Sequence, residues 1–267
     1  MTLNMAMATT IQPTLQATED GAILFDATGL AQAGAARFEP DWFEPEFWQG
    51  RAQLASLGAG RGSTVRVQTA RFDWVLRHYR RGGMVARVLG DRYLWNGAEH
   101  TRSFAEFRLL ALLAGRGLDV PAPVAARYRR HGVHYRADLI TRWIGGATTL
   151  AERVRAGTID ANDAARVGAC VAAFHAVGAY HADLNAHNIL LDPHKVWLLD
   201  FDRGGVRVAA RSWQYANLAR LRRSLLKLGA ARDGEQRFDA AFWGPLMAAY
   251  ERGRGQATPV AAGGARG

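Results

Sequence analysis

The feature that most constrains the fold of this chain is a polar loop set between short apolar segments in its second half. The loop carries His181, Asp183 and Asn188, and Asp200 follows after the apolar stretch Val196–Leu199. The apolar segments 188–191 and 196–199 flank a turn of sequence Asp-Pro-His-Lys, so they predict a β-hairpin. A hairpin brings its two outer ends together, and we therefore expect Asn188 and Asp200 to lie close to one another.

These residue types at this spacing indicate phosphoryl transfer from ATP. An Asp, an Asn five residues later and a second Asp after a strand form the base and metal site of kinase-type enzymes. Asp183 can accept the proton of a substrate hydroxyl, while Asn188 and Asp200 offer the oxygen ligands that Mg²⁺ prefers. Taken singly, such residues are more often turn or capping residues than parts of a site. Together they predict a site with Asp183 as catalytic base and Asn188 and Asp200 as metal ligands.

Upstream features fit the nucleotide-binding half of such an enzyme. The segment 58–65 is rich in glycine, and a turn of this kind lets backbone N–H groups approach phosphates. We therefore predict that Gly60, Arg61 and Gly62 cover the phosphates of ATP, ahead of a strand over 74–79. The residues 103–113 predict a helix with Ser103 as its N-cap and Glu106 as an ion-pairing acid. The alternative is a capping box, in which Glu106 only satisfies the backbone of Ser103.

The basic residues are unusual in kind. Lys195 and Lys227 are the only lysines among 34 basic residues, and both follow the polar loop. Kinases normally use a strand Lys to hold the α and β phosphates against the helix acid, so an Arg has to take that place here. Arg77 is the first choice, because it follows two apolar residues on the predicted strand, and Arg87 is the second. A guanidinium is always charged and binds phosphate through a planar fork.

Composition bounds the rest of the interpretation. Hydrophobic residues make up 49% of the chain and charged residues 22%, as in globular proteins. A single cysteine, Cys170, excludes an internal disulfide and favours a reducing, cytoplasmic setting. It lies in a predicted helix, where we interpret it as a packing residue rather than a nucleophile. The formal charge of +10 favours anionic partners such as a nucleotide or a lipid headgroup. A general bias of composition towards Arg would produce the same excess.

The order of elements predicts an α+β protein with two lobes of the protein-kinase type. A small antiparallel β-rich N-lobe with one helix precedes a larger, mainly helical C-lobe. The expected division is an N-terminal extension or strand pair over 1–36, the N-lobe over 37–144, the C-lobe over 145–255 and a disordered tail over 256–267.

Two further segments each allow two interpretations. The aromatic residues between Phe38 and Trp48 predict a packing cap on the N-lobe, with a membrane anchor as the alternative. The apolar set from Leu218 to Leu228 predicts an amphipathic helix. Its basic side, with Arg220, Arg222, Arg223 and Lys227, is either solvated or binds an acidic lipid or sugar phosphate.

Several of these strings together resemble a known family. The strings are Gly60-Arg61-Gly62, Leu76-Arg77-His78-Tyr79-Arg80-Arg81-Gly82-Gly83, Ser103-Phe104-Ala105-Glu106-Phe107, Asp183-Leu184-Asn185-Ala186-His187-Asn188 and Asp200-Phe201-Asp202-Arg203-Gly204. They are similar to those of the 3-deoxy-D-manno-octulosonic acid (Kdo) kinases of Gram-negative lipopolysaccharide assembly, over roughly residues 38 to 225.

The resemblance implies a protein-kinase-like fold and ATP-dependent phosphorylation of the Kdo 4-hydroxyl on a lipid A precursor. It also implies a peripheral protein on the cytoplasmic side of the inner membrane, without nucleic acid or an obligate protein partner. Asn185 stands where many protein kinases carry Lys, which argues against a protein substrate. The alternatives are a kinase for lipopolysaccharide heptose or an aminoglycoside-like molecule, or a non-catalytic basic binding module.

Overall fold

The computed structural model describes residues 11–57, 64–80 and 91–256, which form two compact units. Unit 1 runs to Gly117 and includes Pro121–Gly145, while unit 2 comprises Leu118–Val120 and the chain from Gly146 onward. Unit 1 is built on an antiparallel sheet and unit 2 is mainly helical, which confirms the predicted α+β class. Unit 1 also includes the N-terminal residues that were expected as a separate extension or strand pair, because they join its sheet.

The sheet of unit 1 contains eight described strands, and all of its described strand pairs are antiparallel. Seven of them follow the order β1-β2-β7-β8-β5-β4-β3, and β6 pairs with β8 beside that path. The strands are β1 Pro13–Thr18, β2 Gly21–Asp26, β3 Gln53–Ser56, β4 Thr64–Gln68, β5 Asp73–His78, β6 Tyr93–Leu94, β7 Pro123–His131 and β8 His134–Arg142.

The N-terminal residues form a hairpin that extends this sheet. Strands β1 and β2 pair from Pro13 opposite Asp26, and β2 then pairs with β7. Gly21 permits that pairing, since a Cβ there would lie 2.0 Å from the carbonyl oxygen of Tyr128. The apolar residues Ile23 and Leu24 are buried as a result. A short helix, α1 (Ala27–Gln32), follows β2.

The aromatic cluster is part of the core of unit 1. Phe38, Phe43 and Trp48 are buried and pack with Phe72 and Trp74 of the sheet. The rings of Phe72 and Trp74 are stacked with centroids 4.1 Å apart. These contacts support the packing interpretation over the membrane anchor. The segment includes a 3₁₀ helix, Pro40–Phe43, and the four-residue helix α2 (Pro45–Trp48).

The longest described helix of unit 1, α3, spans Arg102–Gly115 and corrects one prediction. Its N-cap is Thr101, after a 3₁₀ helix over Ala98–His100, so the expected N-cap Ser103 already lies inside the helix. Ser103 is buried, and its hydroxyl donates to the carbonyl oxygen of Arg127 at 2.9 Å. The capping box is therefore wrong, because the hydroxyl of Ser103 binds a strand of the sheet.

Unit 2 combines helices with short strand pairs. Its strands are β9 Thr148–Thr149, β10 Ala179–Tyr180, β11 Ile189–Leu191, β12 Val196–Leu198 and β13 Gly205–Val206. Its helices are α4 Leu150–Ala156, α5 Ala161–Ala176, α6 Arg211–Lys227, α7 Glu235–Phe238 and α8 Gly244–Gln256, with a π-helical turn over Asp239–Trp243 between α7 and α8.

Helix α5 packs closely against α8. A Cβ at Gly168 of α5 would lie 2.1 Å from the carbonyl oxygen of Leu246, so the two backbones approach one another at a glycine. Asp160 caps α5 by accepting the N–H of Asp163 at 2.7 Å. Burial raises the pKa of Cys170 in this helix to about 12. Because its thiol stays protonated, it acts as a packing residue, as predicted.

Helix α6 is amphipathic, as the leucine spacing predicted. Leu218, Leu221 and Leu225 are all buried in unit 2. On the other side, Arg222 binds Glu235 at 2.6 Å and Asp239 at 3.0 Å. The leucine stripe is thus occupied by the protein core. None of the helices in the described part of the chain is both long and apolar enough to span a bilayer.

Candidate active site

The polar loop of unit 2 lies between β10 and β11, as the sequence predicted. It contains a 3₁₀ helix over Ala186–Asn188, whose N-cap Asn185 accepts the N–H of His187 at 2.8 Å. The hairpin that follows pairs Ile189 with Leu198, and its turn closes at Lys195. The predicted hairpin is confirmed. The hairpin supports the polar loop at one end and leads to Asp200 at the other.

His181 joins the two ends of this region. Its Nδ1 accepts the backbone N–H of Asp183 at 3.1 Å, and its Nε2 lies 2.7 Å from the carbonyl oxygen of Leu199. This pair of contacts requires a neutral ring with its proton on Nε2. Burial lowers the pKa of His181 and so maintains the neutral form. The buried imidazole of His181 therefore connects Asp183, the predicted base, to Leu199, which directly precedes Asp200.

Asp183 presents its carboxylate to solvent while its backbone is held from several sides. Its carbonyl oxygen accepts the amide groups of Asn185 at 3.1 Å and Asn188 at 3.0 Å. On the carboxylate, Oδ2 accepts a second contact from Asn185 at 3.1 Å, and Oδ1 accepts Nη1 of Arg220 at 3.1 Å. An exposed, oriented carboxylate of this kind can accept a proton from an incoming hydroxyl.

The two predicted metal ligands are connected through the same network. The N–H of Leu199 donates to the carbonyl oxygen of Asn188 at 2.9 Å, and Asp200 is the next residue. Because Nδ2 of Asn188 binds Asp183, its Oδ1 is the amide atom directed to a ligand. One carboxylate and one amide oxygen fit Mg²⁺, which protein sites bind through few ligands together with phosphates and water.

Asp200 has an unusual backbone conformation. Its φ of 58° lies in the left-handed region, which side chains other than Gly seldom adopt. Its Oδ1 accepts the N–H of Asp202 at 3.4 Å. Asp is among the residues that tolerate this region best. A backbone of this kind at a predicted ligand is characteristic of functional sites, where the surrounding fold maintains the strain.

In unit 1, Arg77 and Glu106 form an ion pair. Arg77 lies on β5, Glu106 lies on α3, and Nη2 of Arg77 donates to Oε2 of Glu106. The hydroxyl of Tyr79 donates to the same carboxylate oxygen at 2.5 Å and accepts Nη2 of Arg77 at 2.9 Å. Burial raises the pKa of Tyr79 well above its ordinary value, so the phenol remains a donor. Of the two arginines proposed for the strand position, Arg77 makes this contact and Arg87 lies outside the described residues.

The remaining predicted nucleotide ligands also lie outside the described residues. Gly60, Arg61 and Gly62 belong to the segment 58–63, which connects β3 to β4. The flanking strands pair as a hairpin, with Ser56 opposite Val65 and the N–H of Leu57 donating to Thr64 at 2.9 Å. The glycine-rich turn was expected between two strands, and β3 and β4 are such a pair.

Three residues near the site carry contacts that sequence reasoning did not assign. Tyr79 joins the Arg77–Glu106 pair. The sequence pattern that could have indicated this contact is the two-residue spacing, which places Tyr79 on the same face of the strand as Arg77. Asn217 of α6 donates to the carbonyl oxygen of His181 at 2.9 Å. Arg220, one turn further along α6, binds Asp183. Both α6 residues are more than thirty positions from the loop residues that they contact, and no local pattern indicates such a contact.

Comparisons with known proteins agree with the resemblance seen in the motifs. A family model described as the lipopolysaccharide kinase (Kdo/WaaP) family matches residues 45–250. A 3-deoxy-D-manno-octulosonic acid kinase of Xylella fastidiosa (strain 9a5c) is 46% identical over 233 residues, covering 87% of this chain and 89% of the relative. Kinases of the same name from Stenotrophomonas maltophilia (strain R551-3) and Xanthomonas euvesicatoria pv. vesicatoria (strain 85-10) are 46% and 49% identical over 216 residues. These two alignments each cover 80% of this chain and 84% of the relative.

Among solved structures, the chain is similar to a WaaP in complex with acyl carrier protein. The sequence identity is 20%, the match covers 78% of this chain and 87% of the other, and the TM-score is 0.47.

Proposed function

Because the chain belongs to the lipopolysaccharide kinase (Kdo/WaaP) family, we propose that it phosphorylates the 4-hydroxyl of Kdo on a Kdo-lipid A precursor with ATP. The observation that carries this proposal is the network around His181, which orients Asp183 and links it to Asn188 and Asp200. Relatives that share 45–49% of their residues with this chain bear the name Kdo kinase.

In the proposed reaction, Asp183 is the catalytic base. The acceptor oxygen attacks the γ-phosphorus and forms a new O–P bond, while the bond to the β,γ-bridging oxygen breaks and ADP leaves. The hydroxyl proton passes to Asp183. The amides of Asn185 and Asn188 fix the backbone of Asp183, so its carboxylate needs little reorganisation during the reaction.

Asn188 and Asp200 would hold Mg²⁺ on the nucleotide. The ion supplies positive charge that stabilises the phosphates and the charge that develops during transfer. In unit 1, Arg77 would bind the α and β phosphates, and Glu106 and Tyr79 fix its guanidinium. Gly60, Arg61 and Gly62 would cover the phosphates through their backbone. These roles extend the predicted site to the nucleotide.

An acceptor assay tests the proposed function directly. Purified protein, ATP and Mg²⁺ are incubated with a Kdo-lipid A precursor, a heptose-containing lipopolysaccharide core or an aminoglycoside. Mass spectrometry detects a phosphorylated product, and NMR locates the new phosphate. We expect transfer to Kdo alone, at the 4-hydroxyl. Phosphate on heptose or on the aminoglycoside, or on no acceptor, would contradict the proposal.

We also propose that the protein acts at the anionic inner face of the inner membrane, where a lipid acceptor is present. A surface patch of unit 1 supports this. Leu94 of β6 is 65% exposed, and Val133, in the turn between β7 and β8, is 68% exposed. Their backbones are close, since Leu94 pairs with His134, the residue after Val133. We call these two residues and their basic surroundings the hairpin-tip patch.

The surroundings of the two apolar residues are basic. A cavity of about 260 Å³ beside them is lined by Arg92, His131, His134, Tyr135 and Arg136. Arg136 also pairs with Asp91 at 2.9 Å. Exposed apolar side chains beside basic residues are typical of surfaces that bind anionic lipid. Leu218, Leu221 and Leu225 of α6, in contrast, are buried. The hairpin-tip patch is therefore a better membrane contact than the helix Leu218–Leu228.

Liposome flotation tests this contact. Wild-type protein should float with anionic vesicles and not with neutral ones, and the double variant L94E/V133E should lose that binding. Leu15→Glu is the matched control, because Leu15 is an exposed leucine on the edge strand β1 of the same unit. Flotation of the double variant at the wild-type level would show that the patch is not the contact.

A further inference from the structure

The ion pair between Arg220 and Asp183 has no explanation in the proposed chemistry so far. A catalytic base is most useful when its carboxylate is open to the acceptor, yet here Oδ1 already accepts Nη1 of Arg220 at 3.1 Å. Orientation does not require this contact. Asn185 binds Oδ2, and Asn185 and Asn188 both bind the backbone carbonyl of Asp183.

Stability does not require the ion pair either. The side chains of Arg220 and Asp183 are 47% and 61% exposed. Exposed ion pairs contribute little to the free energy of unfolding, because water screens the charges and two long side chains lose freedom. The guanidinium is therefore available to a ligand, since Nη1 is its one atom that forms a hydrogen bond with the described residues.

The charges near Asp183 indicate what kind of ligand Arg220 binds. Asp183, Asp200 and Asp202 place several carboxylates along a short stretch of chain. An acceptor that itself carries a carboxylate is repelled by this group unless a cation lies beside the base. Among the described residues, Arg220 is the cation that forms an ion pair with Asp183. Its planar fork suits a carboxylate, and it can bind one partner through Nη1 and another through Nη2.

The acidic sugar of the proposed reaction has the matching geometry. In Kdo, one ring carbon separates the carbon that bears the carboxylate from the carbon that bears the 4-hydroxyl. A hydroxyl bound to Asp183 therefore brings the sugar carboxylate to the neighbourhood of Arg220. We propose that Arg220 is a specificity-determining residue that binds the carboxylate of the acceptor sugar. This inference rests on the proposed function, and it adds the group by which the site selects an acidic sugar.

The test combines a change in the protein with a change in the acceptor. Wild type, Arg220→Gln and Arg220→Lys are each assayed with the Kdo acceptor and with an acceptor whose carboxylate is converted to a carboxamide. Arg252→Gln is the control, because Arg252 is an exposed arginine on α8 that takes no part in the site. The thermal unfolding midpoint reports whether each variant is folded.

For Arg220→Gln we expect the KM for the Kdo acceptor to rise about tenfold to a hundredfold, as for the loss of a charge-assisted hydrogen bond. The KM for ATP should stay unchanged, which separates a loss of acceptor binding from a loss of nucleotide binding. With the carboxamide acceptor, the KM of wild type should rise by a similar factor. The KM of Arg220→Gln should not rise further, because Arg220 and the sugar carboxylate act as a unit. The acceptor KM of Arg220→Lys should lie between those of wild type and Arg220→Gln, because Lys keeps the positive charge but not the planar fork.

Two results would overturn the inference and leave the proposed function intact. One is transfer to Kdo with an unchanged acceptor KM in Arg220→Gln. The other is an equal penalty for the carboxamide in wild type and variant. Because the carboxamide is also tested with wild type, the comparison holds even where a variant folds poorly. A wild-type protein that phosphorylates neither acceptor would overturn the proposed function and this inference together.

Discussion

Each unit contains one arginine–carboxylate pair beside the predicted chemistry, and the two pairs differ in their access to solvent. In unit 1 the side chains of Arg77 and Glu106 are 22% and 3% exposed. In unit 2 the side chains of Arg220 and Asp183 are 47% and 61% exposed. The first pair also binds the hydroxyl of Tyr79, so two donors share one carboxylate oxygen.

The difference separates two uses of the same contact. A buried carboxylate is costly unless charged and hydrogen-bonding partners surround it, so the unit 1 pair is part of the scaffold. An exposed pair adds little to folding and can exchange partners with a ligand. In the proposed function, Arg77 is thus a fixed guanidinium that would bind phosphate, whereas Arg220 and Asp183 would be available to an acceptor. Four variants, in order of decreasing effect, sharpen this contrast.

Asp183→Asn should have the largest effect. An amide cannot accept the hydroxyl proton, and general base catalysis typically contributes about a hundredfold to ten-thousandfold to the rate. We expect kcat to fall by that factor, with a thermal unfolding midpoint close to that of wild type, because the carboxylate is exposed. The control is Asp233→Asn, an exposed position distant in sequence from the loop. A variant that retains most of its kcat would exclude Asp183 as the base.

Arg77→Gln should chiefly affect stability. Removing one partner of a buried pair typically costs about 3 to 5 kcal/mol, and we expect about 2 to 3 kcal/mol here because Arg77 is partly exposed. Urea unfolding measures the loss, and the KM for ATP should rise in parallel. Arg220→Gln is the matched comparison and should cost about 0 to 1 kcal/mol. Equal losses in the two variants would remove the distinction between the pairs.

Tyr79→Phe should have a smaller effect of the same kind. The variant removes one hydrogen bond to Glu106, while Arg77 still neutralises the carboxylate, so we expect a loss of about 1 to 2 kcal/mol. Tyr215→Phe is the control, since Tyr215 donates to Glu251 at an exposed position of unit 2. Calorimetry of both variants should show the larger decrease for Tyr79→Phe. A larger decrease for Tyr215→Phe would contradict the assigned importance of burial.

The smallest effect concerns His78, the neighbour of Arg77 on β5. Its ring lies 2.7 Å from Asp138 and 3.0 Å from Asp91, and the hydrogen bond to Asp138 is the main reason that the pKa of His78 is raised. A raised pKa means that the stabilisation is complete below about pH 6.5, the ordinary value, and is lost as the pH rises through the higher folded value.

Urea unfolding between pH 6 and pH 9 should therefore show a stability of wild type that decreases with pH. The decrease should be weaker in His78→Gln, and His100→Gln, at an exposed position of unit 1, should keep the wild-type slope. A slope that is the same in all three proteins would show that His78 contributes nothing to it.

The parts of the site that are contiguous in sequence could be predicted. Asp183, Asn188 and the hairpin 188–199 follow from spacing and apolar pattern alone, and the hairpin is confirmed. The Arg77–Glu106 contact was also expected, because the absence of an upstream lysine left an arginine for the strand position. The roles of these residues in catalysis remain proposals.

The parts that depend on distant residues could not be predicted. Arg220 is 37 positions from Asp183, and the helix pattern gave it only a place on the polar side of α6. The motif Ser103-x-x-Glu106 was misleading for a related reason. It fits a capping box locally, but burial against β7 gives Ser103 a backbone carbonyl of the sheet as its partner. Tertiary contacts thus decide between local patterns that the sequence leaves equal.

The imidazole of His181 gives the loop a direct sensitivity to acid. Because its pKa is depressed by burial, its contribution to stability is present at neutral pH and is lost as the pH falls below about 6.5 towards the folded value, the opposite sign from His78. A proton on Nδ1 would also remove the acceptor for the N–H of Asp183. Acidification should therefore loosen the catalytic loop while it strengthens the His78 contacts, so that activity disappears before the sheet of unit 1 unfolds.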